Sequence, residues 1–124
     1  HVLIVHGDDG LDEITITSET TISELKSGEI QEYKISPKDF SLSLAPFEKI
    51  SANSSLESLE LVKDAFSGKK SAVQDMIAMN SGAALYVAKV VSSISDGVEL
   101  SFELMNNGMA SDRLADYVKI SNNI

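Results

Sequence analysis

Four acidic residues and two glycines follow the first apolar run of the chain, in the segment Val5-His6-Gly7-Asp8-Asp9-Gly10-Leu11-Asp12-Glu13. Asp12 and Glu13 are the best candidates for chemistry. Two carboxylates on a tight loop can hold magnesium, which takes one or two protein carboxylates and completes its shell with water and substrate phosphate. They can act together only in a loop, because neighbours on a strand point to opposite faces. From spacing alone, an ordinary acidic turn is the favoured interpretation, since Asp-Gly is a common turn dipeptide.

Two other polar residues are candidates for a site, each with a structural alternative. His6 follows the apolar run and could serve as a general base, a substrate contact or a metal ligand, but a lone histidine there is more often a structural group. Asn80 lies in an apolar helical segment, where a hydrogen bond between buried elements is favoured over a ligand contact. The chain has no cysteine, and its only histidine besides His6 is His1, so neither a Cys-His pair nor a zinc site is supported.

Length and composition restrict the possible classes of protein. The chain has 124 residues, of which 43% are apolar and 23% charged, as is typical of a single folded domain. A net charge of -9 makes nucleic acid a poor partner. No apolar run approaches the roughly 20 residues that span a bilayer, so no membrane partner is expected. The absence of cysteine and of an export signal favours the cytoplasm.

Strand signals dominate the first half of the chain. Residues 2–5 lack polar alternation, which predicts a central strand covered on both faces. Residues 14–17 alternate with the period of a half-buried strand. A hairpin is predicted over about residues 21–35, with its turn at 26–29, and a short strand at residues 41–44.

Helical spacing begins at Leu56, and three to four helices are predicted in the second half. The first runs from Leu56 to a stop at Gly68, and the second from 72 to about 94 after a capping box at Ser71. Asp96 is expected to cap a third helix that ends near 107–108, and a fourth covers 111 to about 120. Small residues around Gly82 should allow another backbone to approach the second helix closely. The predicted fold class is α/β, a slice of a larger mixed-sheet domain.

The acidic segment and the helix Asn80-Ser81-Gly82-Ala83-Ala84-Leu85-Tyr86 together resemble the C-terminal portion of the anthranilate phosphoribosyltransferase family. The resemblance covers essentially the whole chain. It implies a nucleoside phosphorylase-like fold in which residues 1–124 form the C-terminal part of the large α/β domain, with no separate second domain. The implied activity belongs to tryptophan biosynthesis. It transfers phosphoribose from 5-phosphoribosyl 1-pyrophosphate (PRPP) to anthranilate and releases pyrophosphate.

The resemblance also implies roles for particular residues and partners. Asp12 and Glu13 become the magnesium-binding pair, which reverses the preference for a simple turn. PRPP and anthranilate are the implied substrates, and the intact enzyme is expected to be a homodimer. The family's glycine-rich GTGGD loop, its K-H-G-N segment and its anthranilate-contacting arginine all lie upstream, and Arg113 stands in a different context.

The missing family motifs lead us to expect a fragment of the enzyme that is inactive alone, with no catalytic residue of its own. Two alternatives remain open from the residues. One is a noncatalytic structural or binding module that keeps the fold. The other is a fragment related to the pyrimidine nucleoside phosphorylases, which the acidic loop disfavours.

Overall fold

A computed structural model describes residues 1–122 of the chain. The strands are β1 (Val2–Gly7), β2 (Thr20–Lys26) and β3 (Glu29–Ile35), and the helices that follow are α1 (Ser55–Phe66), α2 (Ala72–Val87), α3 (Ile94–Asn106) and α4 (Met109–Ser121). The strands form one antiparallel sheet in the order β1-β2-β3. Two short 3₁₀ helices, Pro37–Phe40 and Phe47–Lys49, connect the sheet to α1. The predicted order of strands followed by helices is confirmed, and the fold is of the α/β class.

The predicted hairpin is formed by β2 and β3. Lys26 pairs with Glu29, which leaves Ser27 and Gly28 as a two-residue turn with φ angles of 54° and 85°. Positive φ at both positions is the geometry that matches the twist of antiparallel strands. The local turn signal was therefore sufficient to place the hairpin.

The prediction of a central strand at residues 2–5 is wrong for the chain as the structure describes it. β1 is an edge strand, paired only with β2 within residues 1–122. Its side chains alternate between faces: Leu3 and Val5 pack against the core, whereas Val2 and Ile4 are 46% and 68% exposed. The uninterrupted apolar run therefore does not correspond to burial on both faces here.

Two further predicted strands are absent, and their residues lie in irregular segments. Residues 14–17 are not paired in the sheet, although Ile14, Thr15 and Ile16 are all buried. Their polar groups bond instead to side chains and to a neighbouring connection, where the Ala45 N–H donates to the Ile16 carbonyl (3.1 Å). Residues 41–44 follow the first 3₁₀ helix, and Ser41 has the left-handed φ of 59°, which interrupts an extended strand.

Serine side chains begin three of the four helices. Ser54, Ser71 and Ser93 each accept a hydrogen bond from a backbone N–H in the first turn, as expected of N-cap residues. The prediction that the second helix continues to about residue 94 is wrong, because Lys89 adopts a left-handed φ of 61° just beyond α2. Asp96 is likewise not the cap of α3, and its N–H donates to Ser93.

The packing of α2 against α3 centres on two glycines. A Cβ at Gly82 would lie 2.6 Å from the Val98 nitrogen, and one at Gly97 would lie 2.3 Å from the Gly82 carbonyl oxygen. The predicted close backbone approach at Gly82 is therefore confirmed. One hydrophobic cluster joins this helix pair to the sheet and the irregular segment, and its buried members are Ile14, Ile16, Ile22, Ala78, Met79, Ala83, Ile94, Val98 and Met105. Across residues 1–122, no helix is both long and apolar enough to cross a membrane.

Candidate functional site

The acidic loop, residues 8–13, leaves the end of β1 as a tight turn. The Gly7 N–H donates to the Leu11 carbonyl (2.8 Å), and the Gly10 N–H donates to the Gly7 carbonyl (2.9 Å). Gly10 has a φ of 95°, a conformation that costs glycine little and other residues more. The two glycines thus allow the chain to reverse immediately after the strand.

Asp9 points back into the loop. Its carboxylate accepts hydrogen bonds from the Leu11 N–H (3.1 Å), from the Thr15 hydroxyl (2.6 Å) and from the Thr17 hydroxyl. Gly7 leaves room for this arrangement, because a Cβ there would lie 2.5 Å from Asp9 Oδ1. Asp9 is therefore an internal anchor of the loop, and its oxygens are already occupied by protein donors.

We expect Asp9 to release its proton at a pH below the ordinary value of 3.8. Burial raises the pKa of Asp9, but hydrogen bonds from Thr15, Thr17 and Leu11 lower it by more, so the net shift is downward. Because the folded state favours the carboxylate, its stabilising contribution is present above the unfolded pKa and is lost as the pH falls through the lower folded pKa. An NMR titration of the Asp9 carboxyl carbon measures this pKa. Thr17→Val should move the midpoint upward, and an unchanged midpoint would contradict the assigned cause.

Asp8 is held by Lys34 on β3 and by Glu19, the residue just before β2. Lys34 Nζ lies 2.6 Å from Asp8 Oδ2 and 3.7 Å from Glu19 Oε2, and the Asp8 N–H donates to the Glu19 carbonyl (2.9 Å). These contacts place a lysine beside the acidic loop, where it offsets part of the negative charge.

Asp12 and Glu13 differ from the other two acidic residues of the loop. Both are exposed, at a bend directly after Leu11. Neither side chain has a hydrogen-bond or ion-pair partner among residues 1–122, and in that part of the chain no cluster of three or more acidic or histidine side chains could hold a metal. Two free, hard oxygen donors open to solvent fit magnesium, which keeps several waters and binds through one or two carboxylates. They do not form a closed protein cage.

Asn80 ties α2 to the end of the loop. Its Oδ1 accepts from the Ile14 N–H (3.0 Å), and its Nδ2 donates to the carbonyls of Ile14 (2.7 Å) and Met76 (2.9 Å). The structural role predicted for Asn80 is therefore confirmed. His6 is exposed on β1 opposite Thr21. Its side chain makes no hydrogen bond within residues 1–122, so the structural role favoured for it is not seen there.

The residues that shape this loop were only partly visible in the sequence. Residue type and spacing point to Asp12 and Glu13 but indicate no role for Asp9, Thr15 or Lys34. The Asp9-Gly10 dipeptide carried a signal, because aspartate often accepts a hydrogen bond from the backbone two residues on, as it does here from Leu11. Nothing local indicated that Lys34 would reach the loop.

Comparison with known proteins places the chain in a family. Residues 1–111 match the family model described as "Glycosyl transferase family, a/b domain". An anthranilate phosphoribosyltransferase from Vesicomyosocius okutanii is 40% identical over 121 residues, which cover 98% of this chain and 36% of that relative. The crystal structure of the Thermus thermophilus anthranilate phosphoribosyltransferase superposes with a TM-score of 0.84 at 30% identity, covering 94% of this chain and 34% of that one.

A third comparison concerns the fold alone. The anthranilate phosphoribosyltransferase of Saccharomyces cerevisiae in complex with PRPP and Mg is 21% identical, with a TM-score of 0.86 and coverage of 98% of this chain and 35% of that one. The chain thus spans about a third of the length of the relatives it matches. The resemblance inferred from the acidic segment is confirmed, and the chain belongs to the glycosyl transferase family that the a/b-domain model describes.

Proposed function

We propose that this chain is part of a magnesium-dependent anthranilate phosphoribosyltransferase. The reaction transfers phosphoribose from PRPP to the amino group of anthranilate, releases pyrophosphate, and serves tryptophan biosynthesis. Asp12 and Glu13 hold the magnesium. Residues 1–124 supply the C-terminal part of the α/β domain, without a second domain of their own.

The observation that carries this proposal is the free carboxylate pair on a well-held loop. Asp8 and Asp9 are engaged with protein groups, whereas Asp12 and Glu13 are exposed and unpaired within the described residues. Two neighbouring carboxylates that lack a counterion suit a divalent cation, which binds through one or two protein carboxylates. Relatives that carry the transferase name support the same assignment.

The chain's own residues supply binding and orientation. Asp12 and Glu13 present oxygen donors at the surface, and the hydrogen bond from the Asp8 N–H to the Glu19 carbonyl holds the backbone at the start of the loop. Bound magnesium supplies positive charge that stabilises the negative charge growing on a departing pyrophosphate. Neither carboxylate needs to act as a nucleophile, so no residue of this chain is assigned a covalent step.

Three further features belong to this proposal. The intact enzyme is a homodimer. It binds PRPP and anthranilate with groups that lie mainly in the other two thirds of the relatives' length. We place it in the cytoplasm.

The isolated 124-residue chain is expected to form no phosphoribosyl anthranilate. The chain corresponds to about a third of its relatives, and most of the groups that position both substrates are expected elsewhere. The measurement is product formation with anthranilate, PRPP and magnesium. A composite enzyme, in which this chain replaces the matching third of the Thermus thermophilus relative, should regain magnesium-dependent activity.

The isolated chain and the composite enzyme together distinguish the transferase from the noncatalytic module and the phosphorylase. Turnover by the isolated chain would contradict its assignment as a partial enzyme. A composite enzyme that folds and dimerises but remains inactive at all magnesium concentrations would favour a noncatalytic module. If phosphate and a nucleoside were its substrates instead, the phosphorylase alternative would replace the transferase.

A further inference from the structure

We propose that Asp9, Thr15 and Thr17, here called the Asp9 cluster, are positioning residues that set the geometry of Asp12 and Glu13 before any metal binds. The inference rests on the proposed function, because it concerns the same carboxylate pair. It assigns the cluster no direct contact with metal or substrate. Its consequence is that metal affinity depends on hydroxyl groups outside the coordinating pair.

The Asp9 cluster joins the two ends of the acidic loop. Asp9, which precedes the Asp12–Glu13 pair, accepts at Oδ2 from the hydroxyls of Thr15 and Thr17, which both follow the pair. Thr15 is fully buried, and its own N–H donates to the Thr20 hydroxyl at the start of β2 (3.1 Å). The Thr17 N–H donates to the Thr15 hydroxyl (3.0 Å). The loop is thereby fastened to the sheet by a connected set of hydrogen bonds.

A second contact holds the loop from the helical side. The Asn80 side chain accepts from the N–H of Ile14 and donates to its carbonyl, and Ile14 directly follows Glu13. On the other side, the Leu11 N–H, directly before Asp12, donates to Asp9. Asp12 and Glu13 therefore lie between two fixed backbone positions, one set by the Asp9 cluster and the other by α2.

Backbone contacts on both sides matter for Asp12 and Glu13, because their own side chains have no partner among the described residues. Consecutive side chains diverge unless the backbone bends between them, and the bend is maintained here from both ends. Groups that orient metal ligands without touching the metal commonly change affinity by about 10-fold to 100-fold when they are removed. The Asp9 cluster acts one step further away, through the backbone on either side of Asp12 and Glu13.

Manganese alone, added to the 124-residue chain, provides the test. It is a paramagnetic substitute for magnesium, and its binding broadens the amide NMR signals of nearby residues. Thr17→Val removes the hydroxyl but keeps the shape of the side chain, whereas Thr17→Ser keeps the hydroxyl. We expect the manganese dissociation constant at Asp12 and Glu13 to rise about tenfold in Thr17→Val and to stay near the original value in Thr17→Ser.

The controls separate this inference from the proposed function. The proposed metal site fails if manganese does not broaden the amide signals of Asp12 and Glu13 in the unaltered chain. It also fails if the broadening is unchanged when Asp12→Asn and Glu13→Gln are combined. In either case the inference fails with it. If the unaltered chain binds and Thr17→Val binds equally well, only the positioning role is overturned. Unchanged signals of β2 and α2 in Thr17→Val would show that weaker binding does not come from unfolding.

Discussion

Gly97→Ala is expected to destabilise this fold by about 3 kcal/mol or more, at the upper end of what overpacking usually costs. The added Cβ would lie 2.3 Å from the carbonyl oxygen of Gly82 and 2.7 Å from its Cα. Both are backbone atoms of α2, so relief requires the two helices to separate. Alanine gains up to about 1 kcal/mol of helix propensity over glycine, which is smaller than this steric loss.

Urea denaturation measures the free energy of unfolding of this variant. Ser95→Ala is the matched control, because residue 95 is exposed on the same helix and also receives an alanine. The control should stay within about 0.5 kcal/mol of the unaltered chain, as is usual for surface changes. Equal unfolding midpoints in the two variants would mean that the helices are not in contact at Gly97.

The parts of the fold that sequence analysis predicted correctly depend on local signals. Ser27 and Gly28 supply the positive φ angles of the hairpin turn, and Ser71 accepts a hydrogen bond from the Gln74 N–H at the start of α2. Such contacts involve neighbours in the chain, so residue type and spacing are enough to reveal them. The reciprocal half of the predicted capping box does not form, because the Gln74 side chain donates to Ala65 and Asn106 instead.

The errors arise where distant contacts decide the conformation. Alternation at residues 14–17 resembled a strand, but Ile14 bonds to Asn80, which is 66 positions away. Those hydrogen bonds satisfy the backbone without a partner strand, so burial occurs in an irregular segment. The early end of α2 at Val87 was also unpredictable, because a lysine with positive φ stands where glycine usually ends a helix.

The candidate site shows the same division. Asp12 and Glu13 were selected because adjacent carboxylates after a strand are visible in the sequence. The sequence does not reveal which of the four acidic residues are paired, because that depends on contacts with residues outside the loop. Lys34 reaches Asp8 from across the hairpin, and the hydroxyls of Thr15 and Thr17 reach Asp9. Among the four acidic residues, only Asp12 and Glu13 have no partner within the described residues, so their oxygens are free to bind a ligand.

Asp12→Asn combined with Glu13→Gln should lower the turnover of the composite enzyme by at least about a hundredfold. Metal-ion stabilisation of developing charge is worth several kcal/mol, and each 1.36 kcal/mol corresponds to about tenfold in rate. Both side chains are exposed and unpaired among the described residues, so neutral amides of similar shape remove no internal contact. Initial rates across a range of magnesium concentrations, together with the urea midpoint, measure the two effects separately.

The matched control is Glu99→Gln combined with Asp116→Asn, which removes the same two charges from exposed positions on α3 and α4. It should retain nearly full turnover and the original magnesium dependence, because general negative charge is not what the reaction requires. If both double variants lose activity equally, the loss reflects net charge and the metal assignment fails. If the Asp12 and Glu13 variant stays active with an unaltered magnesium requirement, the metal is held by residues outside this chain. A loss confined to that variant, at unchanged stability, would show that the reaction needs the exposed pair itself.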